Sequence, residues 1–121
     1  MNYKEELFAK RIKSITGLEV DSEEVVITFE GGATLIQTHD QTCCEHVAVH
    51  QVDGNPSKFI GAIAYELIEK VTDSGYDDDT GLSTTATFYT LKTSAGYLDW
   101  RWYGVSNGYY SESVDTEFNR I

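Results

Sequence analysis

Tyr97-Leu98-Asp99-Trp100-Arg101-Trp102-Tyr103-Gly104-Val105-Ser106-Asn107-Gly108-Tyr109-Tyr110-Ser111-Glu112-Ser113-Val114-Asp115 carries both tryptophans of the chain and its strongest hairpin signal. Strand-forming residues flank Asn107-Gly108, the dipeptide best suited to a type I′ turn. That turn needs positive φ at both central positions, which Asn and then Gly adopt at little cost. With those two as the loop, Ser106 is expected opposite Tyr109, Val105 opposite Tyr110, Tyr103 opposite Glu112 and Arg101 opposite Val114. Alternation then puts Leu98, Trp100 and Trp102 on one face, and Arg101, Tyr103, Val105, Tyr110 and Val114 on the other. Both tryptophans of the chain lie on the first face, which is the expected core.

The 121 residues suit a single domain, 1–121, large enough to bury a core without disulfides or metal. A hydrophobic content of 40% excludes a disordered chain. Apolar runs stay far short of the ~18–20 residues that span a bilayer, and the charged start does not resemble a signal peptide. A cytoplasmic protein without a membrane partner is the expectation.

The net charge of −11 is unevenly placed. Lys4, Lys10, Arg11 and Lys13 outweigh Glu5 and Glu6 near the start, whereas acidic groups greatly outnumber basic ones beyond residue 13. Such a field repels phosphate backbones, which argues against direct nucleic-acid binding, and attracts a partner protein with a basic surface. Asp73, Asp77, Asp78 and Asp79, with Glu112 and Asp115 from the hairpin, are the expected interaction surface.

Outward from the hairpin, Asn2-Tyr3-Lys4-Glu5 has the form of a capping box, and Tyr3, Leu7, Phe8, Ile12 and Ile15 recur at helical spacing. They predict an amphipathic helix over residues 3–14, stopped by Gly17. Residues 24–30 read as a strand that turns at Gly31-Gly32 into a second over residues 33–38. Residues 43–52 are strand-like. Asn55-Pro56 suits the start of a short helix over residues 57–60. Residues 62–72 fit two readings: Ile60, Ile63, Ala64, Leu67 and Val71 have helical spacing, while Ile63, Tyr65, Leu67 and Val71 also fit alternation, and the strand is the one preferred. Residues 73–83, with two Gly and four Asp, read as an exposed loop, followed by a strand over residues 84–93. Together these predict an α+β fold, a mainly antiparallel β roll or partly closed barrel with an N-terminal amphipathic helix.

The unusual cluster is His39-Asp40-Gln41-Thr42-Cys43-Cys44-Glu45-His46, followed by His50. It holds every histidine and cysteine of the chain. His39, Cys43, Cys44 and His46 could converge on a zinc ion, although their spacing matches no standard zinc motif. The plainer expectation is no cofactor, with both cysteines as free thiols, since adjacent cysteines bridge only with strain. Cys43 or Cys44 with His39 supplies the atoms of a nucleophile and base, but no catalytic signature surrounds them, and the chain does not read as an enzyme. Asp77-Asp78-Asp79-Thr80-Gly81 fails the EF-hand pattern, because Gly81 falls one place early and the closing Glu is missing.

His39-Asp40-Gln41-x-Cys43-Cys44-Glu45-x-Val47 and Arg101-Trp102-Tyr103-Gly104-x-Ser106-Asn107-Gly108-Tyr109-Tyr110-Ser111-Glu112-Ser113-Val114-Asp115 resemble a family of small uncharacterised proteins. Its members are encoded by bacteriophages and prophages and carry a domain of unknown function. The resemblance spans roughly residues 15–116. Thr42 departs from the pattern, where an acidic residue is common, and His46 and His50 stand outside it. The resemblance implies a phage context and no activity. With the charge, it leads to the expectation of an acidic accessory protein that binds and inhibits a host protein, such as a defence or nucleic-acid-handling enzyme. A zinc-binding structural module is the alternative.

Overall fold

The computed structural model describes residues 2–3, 9–39, 45–77, 81–107 and 112–119. Among the described residues nine strands follow one another: β1 (Asn2–Tyr3), β2 (Lys10–Thr16), β3 (Glu24–Phe29), β4 (Thr34–Thr38), β5 (His46–Asp53), β6 (Ile63–Asp77), β7 (Leu82–Thr93), β8 (Gly96–Ser106) and β9 (Asp115–Asn119). One 3₁₀ turn, Pro56–Phe59, interrupts them. Its N-cap is Asn55, whose side chain accepts from the Ser57 N–H at 3.1 Å. All strand pairs are antiparallel in one open sheet ordered β5-β8-β7-β6-β2-β3-β4-β9, with β1 beside β6.

This overturns the α+β expectation and the closure into a roll or barrel. Among the described residues there is no α-helix, and the expected helix over residues 3–14 is replaced by strand from Lys10 onward. Residues 4–8 of it lie outside the described residues. The cause of the misreading is a β-bulge. Register shifts between Ile12 and Ser14, so Ile12 opposite Phe29 and Ile15 opposite Ile27 both turn inward although three residues apart. That spacing imitates a helical stripe, while β-branched Ile12, Ile15 and Thr16 suit a pleated surface. Gly17 ends β2 at φ +76°, and a Cβ there would sit 1.9 Å from the Glu24 carbonyl oxygen, so no other residue fits.

The expected hairpin is also corrected. β8 is a central strand with both edges occupied: Arg101 pairs with Phe88 and Gln51, Tyr103 with Ala86 and Ala48, and Val105 with Thr84 and His46. Residues 112 and 114 therefore cannot pair with it as expected. Instead β9 joins the far edge of the sheet, with Asp115 opposite Thr38 and Phe118 opposite Leu35. Asn107 forms a bend, and Gly108 lies outside the described residues. The facial assignment holds, since Leu98, Trp100 and Trp102 are all buried. The acidic loop expected over residues 73–83 is also mostly strand, because β6 runs to Asp77 and β7 starts at Leu82.

β2 touches β6 only through Lys10–Ala64 and Arg11–Ile63, so the sheet bends there. One half is then β5-β8-β7-β6, the other β2-β3-β4-β9. Their inner faces share one apolar cluster that includes Ile12, Val25, Ile27, Phe29, Leu35, Leu67, Leu91 and both tryptophans. Burial at roughly 1.5–3 kcal/mol per large side chain makes this cluster the main source of stability.

Candidate functional site

Two regions gather the residues singled out from the sequence. The first is a buried polar cluster at the end of β8. Glu112 packs on the inner face of β8, and Gly104 leaves the room for it. A Cβ on Gly104 would lie 2.9 Å from the Glu112 Cβ and 3.0 Å from Val47 Cγ2. Glu112 is buried, and its two carboxylate oxygens accept from different hydroxyls: Thr85 Oγ1 at 2.8 Å and Ser106 Oγ. One residue further, the Ser113 carbonyl accepts from His39 Nδ1 at 2.7 Å. A carbonyl oxygen can only accept, so the proton of a neutral His39 ring sits on Nδ1.

His39 Nε2 is thereby turned towards Glu45. Its Oε2 lies 3.4 Å away, with both side chains at most 4% exposed. The contact allows ionic attraction but lacks hydrogen-bond geometry, and Nε2 has no hydrogen-bond partner among the described residues. A buried imidazole with one N–H tied to a backbone carbonyl and the other nitrogen facing a carboxylate is the usual support of a metal ligand, and also that of a buried ion pair.

His46 is exposed on β5, whereas Glu45 beside it is buried. Of the expected ligands that are described, His39 lies in the cluster and His46 does not. Cys43 and Cys44 lie outside the described residues. Among the described residues no three His, Cys, Asp or Glu side chains are placed to share a metal. Glu45 has no role in the zinc site expected from the sequence. Its position next to a strand start gives no sequence signal that it faces His39.

The second region is a border of carboxylates on the half β2-β3-β4-β9. Register aligns Glu24, Thr38 and Asp115 across β3, β4 and β9. Glu117 follows on β9, and Glu19, Asp21 and Glu23 occupy the β2–β3 connection. All six of these acids are exposed. No Lys or Arg occurs in residues 17–24 or 115–119. Lys10, Arg11 and Lys13 sit toward the opposite end of β2, where Arg11 meets Glu30 at 3.7 Å. The half-sheet is thus acidic at one end and basic at the other.

Of the acidic residues expected at an interaction surface, Asp115 belongs to this border. Glu112 is held inside by its hydroxyl partners, Asp73 and Asp77 lie within β6, and Asp78 and Asp79 are outside the described residues. The carboxylates of the β2–β3 connection escaped sequence reasoning. The signal that could have found them is the unbroken lack of basic residues from Gly17 to Val49 apart from histidine.

A family model described as a domain of unknown function (DUF7448) matches residues 5–116. No curated protein and no solved structure matches the chain. Among the described residues no helix is long and apolar enough to cross a membrane.

Proposed function

Taking as premise that the chain belongs to the DUF7448 family of domains of unknown function, we propose that it is a phage or prophage accessory protein acting in the host cytoplasm. It binds and inhibits a host protein that carries a basic surface, such as a defence or nucleic-acid-handling enzyme, and it is a binding protein rather than an enzyme. The observation that carries this reading is the exposed border of Glu19, Asp21, Glu23, Glu24, Asp115 and Glu117, without an intervening cation among the described residues. Surface carboxylates held on a rigid sheet present a fixed negative field, which steers a basic partner and disfavours a polyanion. Phage or prophage origin is supported by the resemblance of the two motifs. The test is capture of host proteins by the wild-type chain and by a Glu24→Gln, Asp115→Asn, Glu117→Gln variant. A basic partner retained by the first and lost by the second supports the reading, and equal capture by both removes it.

A second reading, a small zinc module, is favoured by one specific observation: the buried Nε2 of His39 with its Nδ1 proton fixed on the Ser113 carbonyl. His39 and Glu45 would then be two of the ligands, and zinc would supply a structural cross-link.

A further inference from the structure

We propose that the outer face of β5-β8-β7-β6, the face turned away from the core, is a binding site for a neutral carbohydrate. Strand register writes out the face. One row across the four strands reads Gln51, Arg101, Phe88 and Lys70, and the next reads Asp53, Asp99, Thr90 and Ile68. A hollow of about 250 Å³ is lined by Gln51, Asp53, Phe88, Thr90, Asp99 and Arg101. This is smaller than the ~300–1,000 Å³ of drug-sized pockets and suits a ligand of one-ring width. Phe88, at the centre of the face, is 39% exposed, and Tyr97, further along β8, is 64% exposed.

The polar groups of this hollow are only partly matched to one another. Asp53 and Asp99 are direct cross-strand partners, an arrangement in which like charges repel. Arg101 lies 5.7 Å over the Phe88 ring, and its buried Nε has no hydrogen-bond partner among the described residues. Asp99 accepts from Thr90 Oγ1 at 2.5 Å, and Asp53 from Gln51 Nε2 at 3.1 Å, which leaves further lone pairs on both carboxylates. The site therefore offers acceptors at Asp53 and Asp99, donors at Arg101 and Gln51, and an apolar ring between them.

A ligand complementary to all three needs closely spaced groups that both donate and accept, and a flat apolar side. Sugar hydroxyls donate to the carboxylates and accept from the guanidinium, while the C–H face of the ring lies on Phe88. Charge selects the neutral form. Within the two rows Lys70 and Arg101 offset Asp53 and Asp99, so the face offers no net attraction to an anion, and the chain as a whole stands at −11. A second sugar would reach along β8 towards Tyr97.

The experiment uses the full chain, labelled so that the Arg101 Nε–H and Phe88 ring resonances are resolved, and titrates it separately with chitotriose, maltotriose, cellotriose and adenosine monophosphate. We expect at least one trisaccharide to shift both resonances saturably. Phe88→Ala should weaken that binding by roughly tenfold or more, the size of one lost contact of ~1.4 kcal/mol. Asp99→Asn, which retains the size of the side chain and removes the repulsion with Asp53, should weaken it as well without lowering the melting temperature. If no trisaccharide shifts either resonance, or if adenosine monophosphate does so in their place, the carbohydrate assignment is overturned.

Discussion

Gln37 on β4 and Trp100 on β8 are joined across the core: the amide oxygen of Gln37 accepts the indole N–H of Trp100 at 2.9 Å. The same oxygen accepts from Trp102 at 3.1 Å, and the amide nitrogen donates to Thr116 Oγ1 at 3.4 Å. Gln37 is fully buried. Tyr89 extends the network, with its hydroxyl donating to Glu69 at 2.7 Å and its ring stacked 5.6 Å from that of Trp100. Two indoles can enter an apolar core only if their N–H groups are satisfied, and here one side chain from the opposite half of the sheet serves both. The bond set therefore fixes how the halves face each other.

Replacing Gln37 by Leu keeps the apolar volume but strands two buried donors. At ~1–3 kcal/mol for each of the two unsatisfied groups, the expected loss is about 2–6 kcal/mol, a large share of a typical domain's ~5–15. Chemical denaturation followed by tryptophan fluorescence measures it. A Gln37→Leu chain as stable as the wild type would mean that the indoles are satisfied elsewhere.

Gly104→Ala tests the crossing of residues 112–114 over β8. The added methyl would press on Glu112 and Val47 at 2.9–3.0 Å, so overpacking should cost ~1–3 kcal/mol. Because Glu112 would be pushed from Ser106 and Thr85, a Glu112→Ala change made on top should cost less than it does alone. Strict additivity of the two changes would show that the segment does not pack against Gly104.

Much of the sheet was legible from alternation. Residues 24–38 form their hairpin, residues 63–72 take the strand rather than the helix that their spacing also allowed, and the face of Leu98, Trp100 and Trp102 is the core. What failed did so for physical reasons. The bulge at Ile12/Ser14 gave a strand the spacing of a helix. Asn107-Gly108 carries a local hairpin preference, but β5 and β7 compete for the same edges of β8 and win them. Glu112 looked like a surface charge because alternation says nothing of a chain that leaves the sheet and crosses it. The cluster of His39 and Glu45 depends on a contact to residue 113, 74 positions away from His39, which no spacing rule reaches.

The zinc reading predicts that chain purified without chelator carries about one zinc. His39→Ala and Glu45→Ala should lose it, and His46→Ala, altering an exposed residue on β5, should retain it. Elemental analysis alongside thiol titration decides the matter. Metal content far below stoichiometry, with two titratable thiols and no effect of chelator on unfolding, leaves His39 and Glu45 as a buried ion pair.

Binding through the acidic border should depend steeply on salt. Glu19, Asp21, Glu23, Glu24, Asp115 and Glu117 are exposed, so their field is screened beyond a Debye length of ~8 Å at physiological ionic strength. The association rate with a captured basic partner should fall by roughly tenfold or more as salt is raised, while dissociation changes less. Neutralising Glu24, Asp115 and Glu117 together should reproduce the loss at low salt. It should leave the melting temperature within a few degrees, because solvated charges on an outer face contribute little to folding. Neutralising Asp53 and Asp99 on the other outer face should not reproduce it, since those residues lie on β5 and β8 in the opposite half. Association kinetics measured across a salt series on these two variants separate the outcomes. A partner whose association ignores both salt and the Glu24, Asp115 and Glu117 changes does not bind through this border.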